Sequence, residues 1–146
     1  CFTQLFLNSP DLIQQQIDHW EKKVMVHRKR AKLPTGASLD SFCNVYKTAF
    51  DKIRARGGQI VFVRLPSSGT HLVSELKQFP RSQFYDHLLK ITNTSGVHYT
   101  DYPATANMLC VEDSHLSPED AIRYTTSLVQ TLTNELGWKF PSTKKP

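Results

Sequence analysis

The run Gln59-Ile60-Val61-Phe62-Val63-Arg64-Leu65 constrains the fold more than any other stretch of the chain. It is short, apolar and β-branched, and it lies between Gly57-Gly58 and Pro66-Ser67-Ser68-Gly69. Such a run reads as a strand buried on both faces, the kind found in parallel sheets covered by helices. The flanking sequence agrees. Leu39, Phe42, Cys43, Tyr46, Ala49, Phe50 and Ile53 recur at spacings of three and four, predicting a helix with those residues inward. Upstream, Ser9-Pro10 is a cap followed by Pro at the first helical position, and Leu12, Ile13, Ile17, Trp20 and Val24 extend a helix to about His27. Leu33-Pro34-Thr35-Gly36 breaks it. Downstream, Pro80 opens a helix carrying Phe84, Leu88, Leu89 and Ile91, with Ser95-Gly96 as its stop. Val97–Tyr102 reads as a second strand. A last helix runs from Pro118 to about Leu136, with Ile122, Leu128, Val129, Leu132 and Leu136 inward and Gly137 as C-cap.

The order helix, helix, strand, helix, strand, helix predicts a doubly wound, mostly parallel α/β sheet. With 146 residues and no composition break, the chain reads as one domain over residues 1–141, followed by a disordered Lys/Pro tail at 142–146. Two strands make a thin sheet. A third strand from Cys1–Leu7, or a second chain in a homo-oligomer, would complete it.

The chemistry concentrates in Glu112-Asp113-Ser114-His115-Leu116-Ser117-Pro118-Glu119-Asp120-Ala121. Ser117 is an N-cap, Pro118 suits the first helical position, and Asp120 stands three after the cap, the spacing of a capping box. His115 is thereby held on the turn entering a helix, with Glu112 and Asp113 available to orient it. That is how a general base is presented. The plain reading is a surface histidine beside two acids favoured by a helix dipole. Ser67, Ser68 and Arg64 lie at the C-terminal end of the first strand, where open α/β sheets bind ligands. They are candidates for lining a substrate cleft, with a plain turn and a salt bridge as the alternatives. Neither serine sits in a nucleophile elbow. His71 in the same loop reads as a solvated histidine, with contact to an anionic group as the alternative, Asp101 as a turn residue, and Tyr99 and Tyr102 as packing.

The block resembles the C-terminal motif of SGNH (GDSL-type) hydrolases, an Asp-x-x-His pair followed by Leu-Asn/Ser-Pro and a last helix. Here Glu112-x-x-His115 holds that register, and Asp113 falls one residue late. Residues 38–136 follow the order of the C-terminal half of that fold. The resemblance implies an SGNH- or flavodoxin-like sheet and hydrolysis or transfer of an acyl ester on a carbohydrate, a lipid or another small molecule. His115 would be the base, and either Glu112 or Asp113 its partner. The family's Gly-Asp-Ser and Gly-x-Asn-Asp blocks are missing from these residues. The expectation is a C-terminal portion of a longer hydrolase, starting as it does at Cys rather than Met. The alternative is a non-catalytic SGNH-like module that binds a glycan or a protein.

The formal charge of +5 is concentrated in Lys22, Lys23, Arg28, Lys29, Arg30 and Lys32. These predict a solvated helix face, with an anionic partner as the alternative. Stacking aromatics and a nucleic-acid motif are missing there, so nucleic acid is not expected. No apolar run reaches the roughly 18 residues of a membrane span. Cys1, Cys43 and Cys110 read as small buried hydrophobes, with one disulfide left open. Cys110 and His115 lack further ligands at metal-binding spacing, and no cofactor is implied. The residues carry no targeting signal, so the compartment is open; extracytoplasmic sites are common for the family.

Overall fold

Side-chain caps mark where some of the helices begin. The computed structural model describes residues 2–28 and 33–141. Thr3 caps a single turn, α1 (Gln4–Leu7), by accepting the Phe6 N–H at 3.2 Å. Phe2 and Phe6 stack four residues apart, with ring centroids at 4.8 Å. Residues expected to add a third strand are therefore helical, because a side-chain cap and an i,i+4 aromatic pair favour a turn there. After α1 come α2 (Pro10–Arg28), α3 (Ala37–Arg54), β1 (Val61–Arg64), α4 (Gly69–Gln78), α5 (Tyr85–Thr92), β2 (Ser95–His98) and α6 (Pro118–Asn134).

Three boundaries differ from the sequence reading. The helix expected from Pro80 begins only at Tyr85 as α5, after a set of turns led by Pro80, and the stretch before it, for which no helix was expected, forms α4. Proline offers no N–H and disfavours helix in the residue before it, so Phe79-Pro80 separates the two helices. Ser95-Gly96, expected to end a helix, instead opens β2. The helix ends earlier, at Asn93, which adopts a left-handed conformation at φ 48°. Gly96 suits the strand because a Cβ there would displace the ends of the Tyr85 and Leu89 side chains. The second strand, expected to reach Tyr102, stops at His98. The His98 Nδ1 accepts the Thr100 N–H at 3.3 Å and turns the chain into a 3-10 turn over Tyr99–Asp101.

The sheet is a single parallel pair, with Val61 opposite Ser95 and Arg64 opposite His98. Its two faces carry different helices, as period-2 alternation requires. Phe62 meets Phe50 of α3 edge-to-face at 5.5 Å, and the Tyr85 hydroxyl of α5 donates to the Phe62 carbonyl at 3.1 Å. Val63 joins the opposite cluster of Tyr99, Met108, Tyr124, Leu116 and Leu128, so α6 covers that side.

Mixed α/β architecture with a parallel sheet is thus present, in a two-stranded form. Strands are about 4.8 Å apart and a helix is about 10 Å wide, so two strands cannot cover two helices on one face. That explains a departure on α3. Cys43 is buried, yet Phe42, Tyr46 and Ile53, expected inward, are 52%, 41% and 42% exposed. On α6 the buried stripe runs through Tyr124, Thr131 and Leu132, which leaves Ile122 and Val129, also expected inward, exposed.

Cys43 and Cys110 are buried free thiols, and burial pushes both pKa values up. Cys1, the basic residues Lys29, Arg30 and Lys32, and the tail at 142–146 lie outside the described residues. Lys22 and Lys23 are exposed, and the Lys23 ammonium lies over the Trp20 ring at 5.3 Å. Among the described residues no helix is long and apolar enough to cross a membrane.

Candidate functional site

The acidic block forms a closed loop. Cys110 and Leu116 make an antiparallel bridge, and the Val111 N–H donates to the His115 carbonyl at 2.7 Å. This closure brings residues 112 and 115 side by side. His115 Nδ1 lies 2.5 Å from Glu112 Oε1. A carboxylate at Nδ1 places the ring proton there and leaves Nε2 as the basic nitrogen.

The two partners differ sharply in environment. The Glu112 side chain is 1% exposed, whereas that of His115 is 65% exposed. A buried carboxylate must be satisfied by donors. Glu112 receives the Trp20 indole N–H at 2.7 Å and the Ser114 hydroxyl at 2.9 Å. Phe2 packs edge-to-face on the imidazole at 5.8 Å. The ring is therefore fixed from behind by an anchored acid and from one side by an aromatic, with its outer edge open to solvent.

Asp113 has a different task. It adopts φ 71°, a left-handed conformation that aspartate tolerates better than most residues. Its carboxylate accepts the Thr70 N–H at 3.1 Å and the Thr70 hydroxyl at 3.2 Å, capping the first turn of α4. Its carbonyl accepts the Ser68 N–H at 2.9 Å. Gly69 is at φ 51°, and a Cβ there would run into the Asp113 carboxylate. Of the two acids left open by the sequence, Glu112 pairs with His115, and Asp113 joins the acidic loop to the end of β1.

The strand-end serines are buried and engaged. Ser67 donates to Glu75 Oε2 at 2.7 Å and accepts from Arg64 Nη2 at 3.0 Å. Ser68 accepts the Cys110 N–H at 2.8 Å. Arg64 also pairs with Glu75, and His71 Nε2 lies 3.4 Å from the other oxygen of that carboxylate. Neither serine hydrogen-bonds to His115. Among the described residues the hydroxyl nearest to hand is Ser114, 2.8 Å from Nδ1, the nitrogen that Glu112 already occupies.

The cap of α6 forms in part. Ser117 accepts the Asp120 N–H at 3.1 Å, while the Asp120 carboxylate goes to Arg123 at 2.8 Å and not back to the cap.

No protein-family model, curated protein or solved structure matches this chain. Among the described residues no cluster of three or more His, Cys, Asp or Glu side chains could hold a metal ion. Sequence reasoning missed Trp20, which lies 92 positions from Glu112 and carries no local signal. It also passed over Ser114, which stands inside the block and differs from its neighbours only in being hydroxylic.

Proposed function

We propose that Glu112 and His115 are the acid–base pair of an ester-hydrolysing or acyl-transferring site in an SGNH-like, doubly wound α/β domain. The observation that carries this reading is the buried Glu112 carboxylate held 2.5 Å from an exposed imidazole. In this role Nε2 takes the proton of an attacking hydroxyl and later returns it to the leaving alcohol. Glu112 holds the tautomer and stabilises the imidazolium. Trp20 and Ser114 keep the carboxylate from turning away. The developing oxyanion is met by N–H donors outside the pair. The substrate class is an acyl ester of a carbohydrate, a lipid or another small molecule. The bare α3 face and the two-stranded sheet support a domain that is wider when whole.

A second reading is a non-catalytic module that binds a glycan or a protein. It is favoured by one observation: Ser67 and Ser68 spend their hydroxyls on Glu75 and Cys110. One experiment separates the two. The protein is expressed from its complete reading frame and assayed for p-nitrophenyl acetate turnover beside His115→Ala and Glu112→Gln. The hydrolase reading expects turnover that vanishes in His115→Ala and falls by about three to four orders of magnitude in kcat in Glu112→Gln. Turnover untouched by His115→Ala, or none in the parent protein, defeats it; the latter outcome leaves the binding module.

A further inference from the structure

The C-terminal ends of both strands open into a cleft of about 520 Å³ that the acid–histidine pair does not line. Arg64 and His98, opposite each other in the sheet register, form its floor. Its walls are Leu72, Leu76, Phe79, Phe84, Tyr85 and Tyr99. The volume suits a small molecule, and the end of a parallel sheet is where such folds bind ligands.

Charge decides the kind of ligand. Both cations at the cleft are already matched. Arg64 pairs with Glu75, and Arg81 is bound to Asp101 through two nitrogens and to Asp86 through Nε at 3.1 Å. An entering anion would have to compete with Glu75, Asp86 and Asp101 for guanidiniums they already hold, and an entering ammonium would meet the guanidiniums themselves. Either would be desolvated with no free partner, which is unfavourable.

His98 supplies the polar contact. Its Nδ1 accepts the Thr100 N–H at 3.3 Å and lies 2.8 Å from the Thr100 hydroxyl. The backbone donor makes Nδ1 an acceptor, so the ring proton resides on Nε2, which is left to donate. Burial, then Arg81, lower the His98 pKa and keep the ring neutral. Burial likewise raises Tyr99, and pushes Tyr85 up to about 12, so both phenols stay uncharged. The Tyr85 and Tyr99 rings bracket the imidazole, one edge-to-face at 5.1 Å and one stacked at 5.3 Å.

We infer that this cleft binds an uncharged aryl compound whose carbonyl oxygen accepts a hydrogen bond from His98 Nε2. The flat apolar body lies against Phe79, Phe84 and Tyr85, where edge-to-face contacts are favourable. The assignment is independent of whether His115 acts as a base.

Three probes of one shape and different charge test it by titration calorimetry at pH 7.5: 2-naphthamide, 2-naphthoate and 2-naphthylmethylammonium. The amide is expected to bind saturably, and each ion at least about tenfold more weakly. His98→Asn keeps an acceptor for Thr100 but removes the long-reaching donor, and should weaken the amide about tenfold, the worth of one hydrogen bond. Leu76→Trp fills the cleft from a position 59% exposed, where the larger side chain is tolerated, and should abolish binding. The inference is overturned by a failure of the amide to bind, by equal or tighter binding of either ion, or by binding unchanged in Leu76→Trp.

Discussion

At the residue scale the instructive contrast is between adjacent carboxylates. Glu112 and Asp113 differ by one position, yet one faces the interior and the imidazole while the other reaches across to Thr70. The left-handed turn at Asp113 reverses the direction of the side chain and separates the roles. Asp113→Ala should therefore act on stability. It removes the cap of α4 and puts a β-carbon without a polar group at positive φ, a loss of about 1–2 kcal/mol in urea unfolding. Esterase turnover, measured on the folded protein, should stay within about twofold. A collapse of kcat in Asp113→Ala at unchanged fold would assign the imidazole's partner to Asp113. The pattern Glu-x-x-His was legible in the sequence because three residues of tight loop bring the groups together locally. Which of two acids served could not be read, since the answer rests on one backbone dihedral and on a helix start 43 residues away.

At the scale of elements, α2 reaches the site through one side chain. The Trp20 indole N–H donates to a buried carboxylate at 2.7 Å, and hydrogen bonds to charged groups are worth about 1.5–3 kcal/mol. Trp20→Phe keeps most of the apolar bulk and deletes the donor. It should lower stability by about 2 kcal/mol and loosen Glu112, with a smaller fall in kcat than Glu112→Gln gives. A change below about 0.5 kcal/mol would mean that α2 docks by packing alone. The caps of α6 and the breaks around β1 were readable because capping and turn chemistry are local. The helix α4 was not anticipated, and Pro80 was given the helix start that Tyr85 takes, although the restriction around Phe79-Pro80 carries the physical cause of the break between α4 and α5. The inward faces assigned to α3 and α6 were partly misplaced, because helical spacing reports which residues are apolar and not how wide a sheet lies beneath them.

For the whole molecule, pH reports how the two strands are tied to their surroundings. Burial depresses the His98 pKa, so the unfolded chain binds that proton more readily than the folded one. The stabilisation is complete above the ordinary value of 6.5 and is lost as pH falls from there through the lower folded value. Asp101 acts in the same direction at lower pH. The Arg81 hydrogen bond holds it below its usual 3.8, and its contribution disappears as pH drops through that depressed value. Urea midpoints measured from pH 7 to pH 3 should therefore decline in two stages. His98→Asn should flatten the upper stage only. A parent protein with a level midpoint between pH 7 and pH 5 would contradict this account.

Taken alone, the sequence determined the starts of α2 and α6, the central apolar strand, the parallel pairing implied by an intervening helical segment, and a histidine poised beside acids. Each follows from forces acting over a few residues: capping, side-chain periodicity and backbone restriction by Pro and Gly. The tertiary structure alone decided that Glu112 is the buried acid, that Trp20 anchors it, that Ser67 and Ser68 are turned to Glu75 and Cys110, and that Arg64 and His98 floor a charge-balanced cleft. Those outcomes depend on desolvation and on contacts between distant segments, and a buried charge finds its partners only once the chain has closed around it.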